Sequence, residues 1–348
     1  MFQRILVPLD GSARAESAIS VAAHLALASG GSVILLRVVT SPIEFAWSAM
    51  ESPMSMQEPL EADRVQVVNY LATIAGSKAL AGVATKTEAV DGLPADTILS
   101  VARSQQVDLI VMCSHGYTGF KRWALGSVAQ KVARHSPVPA FVLHEHAGVP
   151  TNLHPGGIRP VGVLVAMDGS PLAETVLAPA AQLSAALSAP AQGALHLVRV
   201  LPLASLPEQD HVEPLARVRD MARAEAGVYL RAIEQRLREG ELAPLHLSIT
   251  SSVVINTDIA ETLIRMAENG EYMDKVGEST GCDVIAMATH GRGGLQRWLM
   301  GSITERVLGA TKLPLLIVRP QQADDIAEKD EETRGVAQRE TQSWVGLF

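Results

Sequence analysis

The chain of 348 residues is 47% hydrophobic and only 19% charged, the composition of a well-buried globular protein, and at roughly 150 residues per domain its length suits about two domains. A formal net charge of −8 with no Lys/Arg cluster excludes generic nucleic-acid binding, because a phosphate backbone calls for a basic surface. The longest apolar runs fall short of the ~18–20 residues that cross a bilayer, so neither nucleic acid nor membrane is an expected partner.

In chain order, RILVPLD at 4–10 is a short apolar run ending in the turn residues Asp10, Gly11 and Ser12, with an Ala-rich helical stretch behind it over about 13–28. Strand then helix is the natural reading. The apolar run is too short for a signal-peptide core and has no small-residue cleavage site behind it, so the expected location is cytoplasmic. A buried strand is predicted at 32–39 (SVILLRVV), then a variable Pro- and Met-containing loop, a longer helix near 60–79 and a third strand near 85–90. A helix at 94–104 and a fourth buried strand at 108–113 lead to a Gly-rich loop, a helix starting near Ser127 and the apolar run PVPAFVLH.

The order then repeats. GVLVAMDGS at 162–170 restarts it with another Ala-rich helical stretch, followed by ALHLVRV at 194–200, a long helix at 213–238, a strand at 245–253, a helix at 258–269, a strand at 283–288, a second Gly-rich loop, a helix near Ser302 and the run LPLLIVRP. The polar stretch 269–281 holds most of the second half's extra length and reads as a surface insertion. The stretch EHAGVPTNLHPGGIRP between the halves is rich in Gly, Pro and His and reads as a linker. The expected domains are therefore 1–146 and 159–320, joined by 147–158. The polar residues 321–348 form an expected mobile tail whose terminal WVGLF offers a contact for a partner.

Each half alternates strand and helix five strands deep, which implies right-handed crossovers and a mostly parallel sheet covered on both faces. The fold class is α/β. Ligands of such open sheets bind beyond the carboxyl ends of the strands, at a topological switch point, which directs attention to the loops after the first and fourth strands. The fourth-strand loop occurs twice, as CSHGYTGFKRWALGS at 113–127 and ATHGRGGLQRWLMGS at 288–302, with 7 of 15 positions identical.

In each copy a glycine directly follows the strand, Gly116 or Gly291, and a Gly-Ser pair, Gly126-Ser127 or Gly301-Ser302, opens the next helix. Helix N-termini present unpaired N–H groups and a dipole that favours anions, and glycine lets a phosphate approach the main chain. That geometry suits a polyphosphate. The plainer alternative is that the glycines serve only turns and helix starts; the retained spacing and the switch-point location argue against it. Neither copy fits a Walker loop or a dinucleotide fingerprint.

These residues carry a family resemblance. LVPLDGS, VILLRVV, GLPADTIL and SHGYTGFKRWALGSVAQKV with SPVPAFVL resemble a universal stress protein domain, and LVAMDGS, ATHGRGGLQRWLMGSITERV and KLPLLIV in the second half resemble it too. The chain looks like a tandem of two such domains. The resemblance implies Rossmann-like domains, open parallel five-stranded sheets with helices on both faces, arranged as an intramolecular pseudo-dimer in which PAFVLH pairs with LLIVRP. It also implies ATP binding. Asp10 and Asp168 would face the ribose and the main chain of Val38 and Val200 the adenine. Gly116, Gly126, Ser127 and Val128, and in the second half Gly291, Gly301, Ser302 and Ile303, would cradle the phosphates. The motif's first glycine is replaced by Cys113 and by Ala288, and the second half has NTDIAETL where the first has GLPADTIL.

Other readings compete for single residues. His115 and His290 invite a catalytic role, but no repeated Ser/His/Asp or Cys/His set supports one. The two cysteines, Cys113 and Cys282, read as buried free thiols, with no zinc or thiol–disulfide spacing around them. Mg²⁺ can accompany ATP, with phosphates and water as most of its ligands; no dedicated metal cage is legible. The Met-containing stretch 45–63 could line a partner site or fold over the domain's own groove. The leading expectation is an ATP-binding protein of stress response or signalling that works by nucleotide-dependent conformation. The alternatives are a scaffold with degenerate sites that pairs with other proteins, as a homodimer or with an unidentified partner, and a slow ATPase, for which no base to activate water is evident.

Overall fold

A computed structural model of the protein describes residues 1–40, 57–114, 126–144, 160–202, 212–271, 281–289 and 300–320, with the side chains of 57–63 and 212–215 excepted. In the first half, strand β1 (Arg4–Leu9) leads through helix α1 (Ala13–Ser29) to β2 (Ser32–Val39), α2 (Gln57–Ala75), β3 (Ala84–Asp91), α3 (Pro94–Ser104), β4 (Leu109–Cys113), α4 (Ser127–His135) and β5 (Ala140–Leu143). The second half repeats this as β6 (Gly162–Ala166), α5 (Pro171–Glu174), α6 (Leu177–Ser188), β7 (Ala194–Pro202), α7 (Val212–Glu239), β8 (Ser248–Asn256), α8 (Ile259–Asn269), β9 (Val284–Ala288), α9 (Ser302–Ala310) and β10 (Leu315–Val318).

The strands form one ten-stranded sheet in the order β3-β2-β1-β4-β5-β10-β9-β6-β7-β8. Within each half every pairing is parallel. The halves meet where β5 and β10 pair antiparallel, with Leu316 opposite Phe141 and flanking rungs Leu315–Val142 and Ile317–Ala140. One edge of each five-stranded sheet, β5 and β10, is thereby closed by the other, as expected of the pseudo-dimer.

Helices cover both faces unequally. On the face of α1 and α6, one buried cluster runs through both halves and joins Ile5, Leu25 and Phe141 to Leu183, Leu187 and Leu316. The opposite face holds two clusters, one under α3 and α4 around Ile98 and Val132, the other under α8 and α9 around Met266 and Val307; Ala133 of α4 packs into the latter. Phe141 and Leu316 have no exposed surface, and burying such side chains contributes about 1.5–3 kcal/mol each. The junction is thus core rather than a wet contact.

Three departures from the expected elements have local causes. The second Ala-rich stretch is two helices, α5 and α6, because Pro179 cannot donate to the carbonyl one turn before it; it sits in the first turn of α6, where that loss is tolerated. Val21 of the first half leaves α1 unbroken over 17 residues. Helix α2 stops at Ala75, before Gly76, and a short 3₁₀ turn follows at Lys78–Leu80. Another at Ala243–Leu245, closed by His246 at φ 50°, delays β8 to Ser248.

Candidate functional site

The chain builds outward from β1 to β2 and β3, then returns to place β4 and β5 on the other side of β1. A crevice therefore opens beyond the carboxyl ends of β1 and β4, and by the same topology beyond β6 and β9. Continuing the parallel register sets Asp10 across from Ser114 and Asp168 across from Thr289. On the other side Leu9 pairs with Arg37, which makes Val38 the neighbour of Asp10, and Ala166 pairs with Val198, which makes Val200 the neighbour of Asp168. Continued in register, each predicted ribose contact thus shares a rung with its predicted adenine contact.

The Asp-Gly-Ser turns are built alike. Asp10 Oδ1 accepts the Ser12 N–H at 2.9 Å and its hydroxyl at 2.6 Å, and Ser12 Oγ in turn caps α1 by accepting the Ala15 N–H at 3.2 Å. Asp168 Oδ1 accepts from the Ser170 N–H at 2.8 Å and its hydroxyl at 2.6 Å, while Ser170 Oγ caps α5 from Ala173 at 3.2 Å. Gly11 and Gly169 between them stand at φ 83° and 84°, a conformation that favours glycine.

The repeated loop leaves and returns at one point in each half. Ser114 and Thr289, both buried, accept through their main-chain oxygens the N–H of Gly126 and Gly301, each at 2.8 Å. A Cβ on Gly301 would stand 3.1 Å from the Thr289 oxygen, a tight contact. That close approach favours glycine at 301; at φ −62° and −58° neither Gly126 nor Gly301 needs the left-handed region. Serine or aspartate side chains cap α1, α5 and α8, whereas α4 and α9 begin on a glycine with no side-chain cap. Their first-turn N–H groups stand at the crevice, with Ser127 and Ser302 exposed and Val128 and Ile303 half-buried behind them. Gly116, Gly291, His115 and His290 lie outside the described residues, as do most of the Met-containing stretch, the linker and the tail.

Cys113, in place of the motif's first glycine, donates its thiol to the Arg14 main-chain oxygen at 2.9 Å and lies 3.1 Å from Ser17 Oγ, tying β4 to the first turns of α1. Cys282 is an inert thiol: burial, with Asp283 beside it, pushes it up to about 12. No group of three or more potential metal-ligating side chains occurs among the described residues, and no helix there is long and apolar enough to cross a membrane.

A second cluster recurs at the same turns and was not foreseen. Arg37 of β2 lies over the ring of Tyr70 of α2 at 5.1 Å, and the Tyr70 hydroxyl donates to Glu16 of α1 at 2.9 Å. Arg199 of β7 lies over Tyr229 of α7 at 5.3 Å, and Tyr229 donates to Glu174 of α5 at 3.0 Å. Both phenols are held well above their ordinary range, first by burial and then by the glutamate hydrogen bond. The signal available in sequence was one arginine at the matching position of two largely apolar strands, VILLRVV and LHLVRV.

The model of the universal stress protein family matches residues 1–144 and again 162–319. The chain belongs to that family, as a tandem of two copies. Universal stress protein Rv2005c of Mycobacterium tuberculosis is 25% identical over 318 residues, which cover 90% of this chain and 96% of that one. Universal stress protein MJ0577 of Methanocaldococcus jannaschii is 29% identical over 154 residues, or 41% of this chain and 95% of that one. Among solved structures, a universal stress protein from Archaeoglobus fulgidus superposes with a TM-score of 0.58 at 18% identity, covering 91% of this chain and 98% of its own. That likeness is one of fold: Rossmann-like domains in tandem.

Proposed function

We propose that this universal stress protein binds ATP in each half, with Mg²⁺ able to accompany it, and acts in stress response or signalling through the conformation that the nucleotide stabilises. The two binding units are 1–146 and 159–320, with 147–158 as linker. Asp10 and Asp168 meet the ribose, the main chain of Val38 and Val200 meets the adenine, and Gly116, Gly126, Ser127 and Val128 with Gly291, Gly301, Ser302 and Ile303 meet the phosphates. The observation that carries this reading is the pair of uncapped helix starts. Helices α4 and α9 alone follow the repeated loop, and both open on glycine at the switch point with exposed serines and no side-chain cap, where unpaired N–H groups and the helix dipole favour a phosphate. Ligand binding of this kind stabilises the bound form by mass action and requires no chemical step.

A scaffold reading has one observation in its favour. Helix α7 exposes Val218, Met221 and Val228, Met221 to 72%. A protein contact there is compatible with nucleotide binding elsewhere.

The test is equilibrium binding of labelled ATP to the full chain and to Ser127→Asp and Ser302→Asp. An acidic residue in a helix's first turn suits the helix but repels a phosphate at the same place. Each substitution should leave the thermal midpoint unchanged or raised and remove one binding site. ATP affinity that survives both substitutions would place the phosphates elsewhere.

A further inference from the structure

The first Asp-Gly-Ser turn lies under a guanidinium. A Cβ built on Gly11 would come within 2.1 Å of Arg37 Nη1, 2.9 Å of Cζ and 3.0 Å of Nη2, so the planar group rests directly on the turn's main chain. Any side chain at Gly11 would have to displace it. Arg199, its counterpart, is only 6% exposed, and burying a guanidinium is costly unless something holds it. Among the described residues no carboxylate forms a salt bridge with either arginine; each is held by the face of a tyrosine whose hydroxyl is anchored on a glutamate. The electrostatic surroundings agree, since Asp10 and Arg37 both act on Tyr70, and Asp168 and Arg199 both act on Tyr229.

The two copies keep this cluster while the elements around it differ. Helix α1 has 17 residues where the second half has a broken α5 and α6, and α2 has 19 residues where α7 has 28. If the cluster merely packed these helices together, its parts should have drifted with them. What both copies share is the turn and its aspartate.

We propose that Arg37 and Arg199 are positioning residues for Asp10 and Asp168: each guanidinium, laid on a tyrosine ring anchored to a glutamate, fixes the Asp-Gly-Ser turn in the form that meets a nucleotide sugar. The inference rests on the nucleotide-binding reading above. One oxygen of each aspartate is bonded to its serine, which ties the carboxylate to the turn, and Arg37 rests on the first of those turns. Tyr70 and Tyr229 act one step further out, through the ring that orients the guanidinium, and Glu16 and Glu174 anchor those rings.

The experiment compares the affinities of the full chain for ATP and for 2′,3′-dideoxy-ATP, which lacks both sugar hydroxyls. The unaltered protein should prefer ATP by about tenfold, the scale of a hydrogen bond to a charged group. In Arg37→Met/Arg199→Met that preference should fall toward unity, as in an Asp10→Ala/Asp168→Ala control, with the dideoxy affinity almost unchanged. Tyr70→Phe/Tyr229→Phe, which keeps the ring and removes its anchor, should retain part of the preference. If the methionine pair does not fold, Arg37→Lys/Arg199→Lys carries the same comparison, because lysine keeps the charge but not the planar stack. Equal weakening of both nucleotides would show a merely structural role and overturn the inference, as would an unchanged preference or none in the unaltered protein. A chain that bound neither nucleotide would overturn the nucleotide reading itself, and the inference with it.

Discussion

Asp10 and Asp168 each spend one carboxylate oxygen on a serine that also caps a helix, so the Asp-Gly-Ser turn and the helix start are one unit. Ser12→Ala should remove both the cap and the turn's hydroxyl bond and cost about 1 kcal/mol, the usual value of an N-cap. Ser170→Ala should cost a similar amount, and both are measurable by denaturant unfolding. A cost near zero in either would mean that the aspartate holds the turn unaided. Asp10 stood out in the sequence because it directly ends an apolar run, whereas Val38, inside its run, came only from the family resemblance. The Arg37, Tyr70 and Glu16 cluster was not, because strand periodicity sorts residues by face and says nothing about a ring delivered from a helix some 30 positions later in the chain. Cys113 shows a related limit: the sequence marks it as a departure from the motif's glycine, whereas the direction of its thiol, toward Arg14 on α1, is a tertiary fact.

At the scale of elements, the strand and helix order could be read almost complete, since buried parallel strands and their crossover helices leave strong periodic signals. Errors fell where a single residue decided the outcome, as when Pro179 divided the second Ala-rich stretch. Helix α8 is tied to α9 by Asp258, which caps Glu261 at 3.0 Å and accepts from Arg306 at 2.5 Å. The Arg306 hydrogen bond, then the cap, holds the Asp258 carboxyl below its ordinary value of 3.8. A carboxyl with a depressed folded pKa stabilises the fold above its unfolded value and loses that contribution as pH falls through the folded one. Acid unfolding below about pH 4 should therefore be less steep in Asp258→Asn, where asparagine keeps the cap but does not titrate. Identical acid profiles for the two proteins, followed by circular dichroism, would show that the pair contributes nothing to acid stability.

For the whole molecule the decisive contact is the antiparallel pair of β5 and β10. Leu316, fully buried there, packs in a core shared by both halves. Leu316→Ala should cost about 2–5 kcal/mol and lower the unfolding of both halves together, in one transition; two separated calorimetric transitions would mean that the halves fold independently. His135 lies near the same junction. Burial holds its pKa below 6.5, helped by the positive charges of Arg319 from the other half and of Lys131 and Arg134. Its neutral form is the one the fold favours, so its contribution is complete above about pH 6.5 and declines as pH falls below that value. His135→Gln should flatten the stability profile between pH 7 and 5, and an unchanged profile would remove His135 as its cause. The tandem organisation was legible from the repeated loop alone, but the joining of two sheets into one rested on family resemblance, because an apolar strand carries no mark of its partner.

The central claim is that a loop repeated in sequence is a phosphate cradle repeated in space. The measurement that bears on it most directly is a calorimetric titration of the purified, nucleotide-free chain with ATP, read for stoichiometry, beside the same titration of Ser127→Asp/Ser302→Asp. Two ATP per chain, with none bound by the folded double variant, is the predicted result. No heat of binding in the unaltered chain, or two sites that persist in the variant, would contradict it.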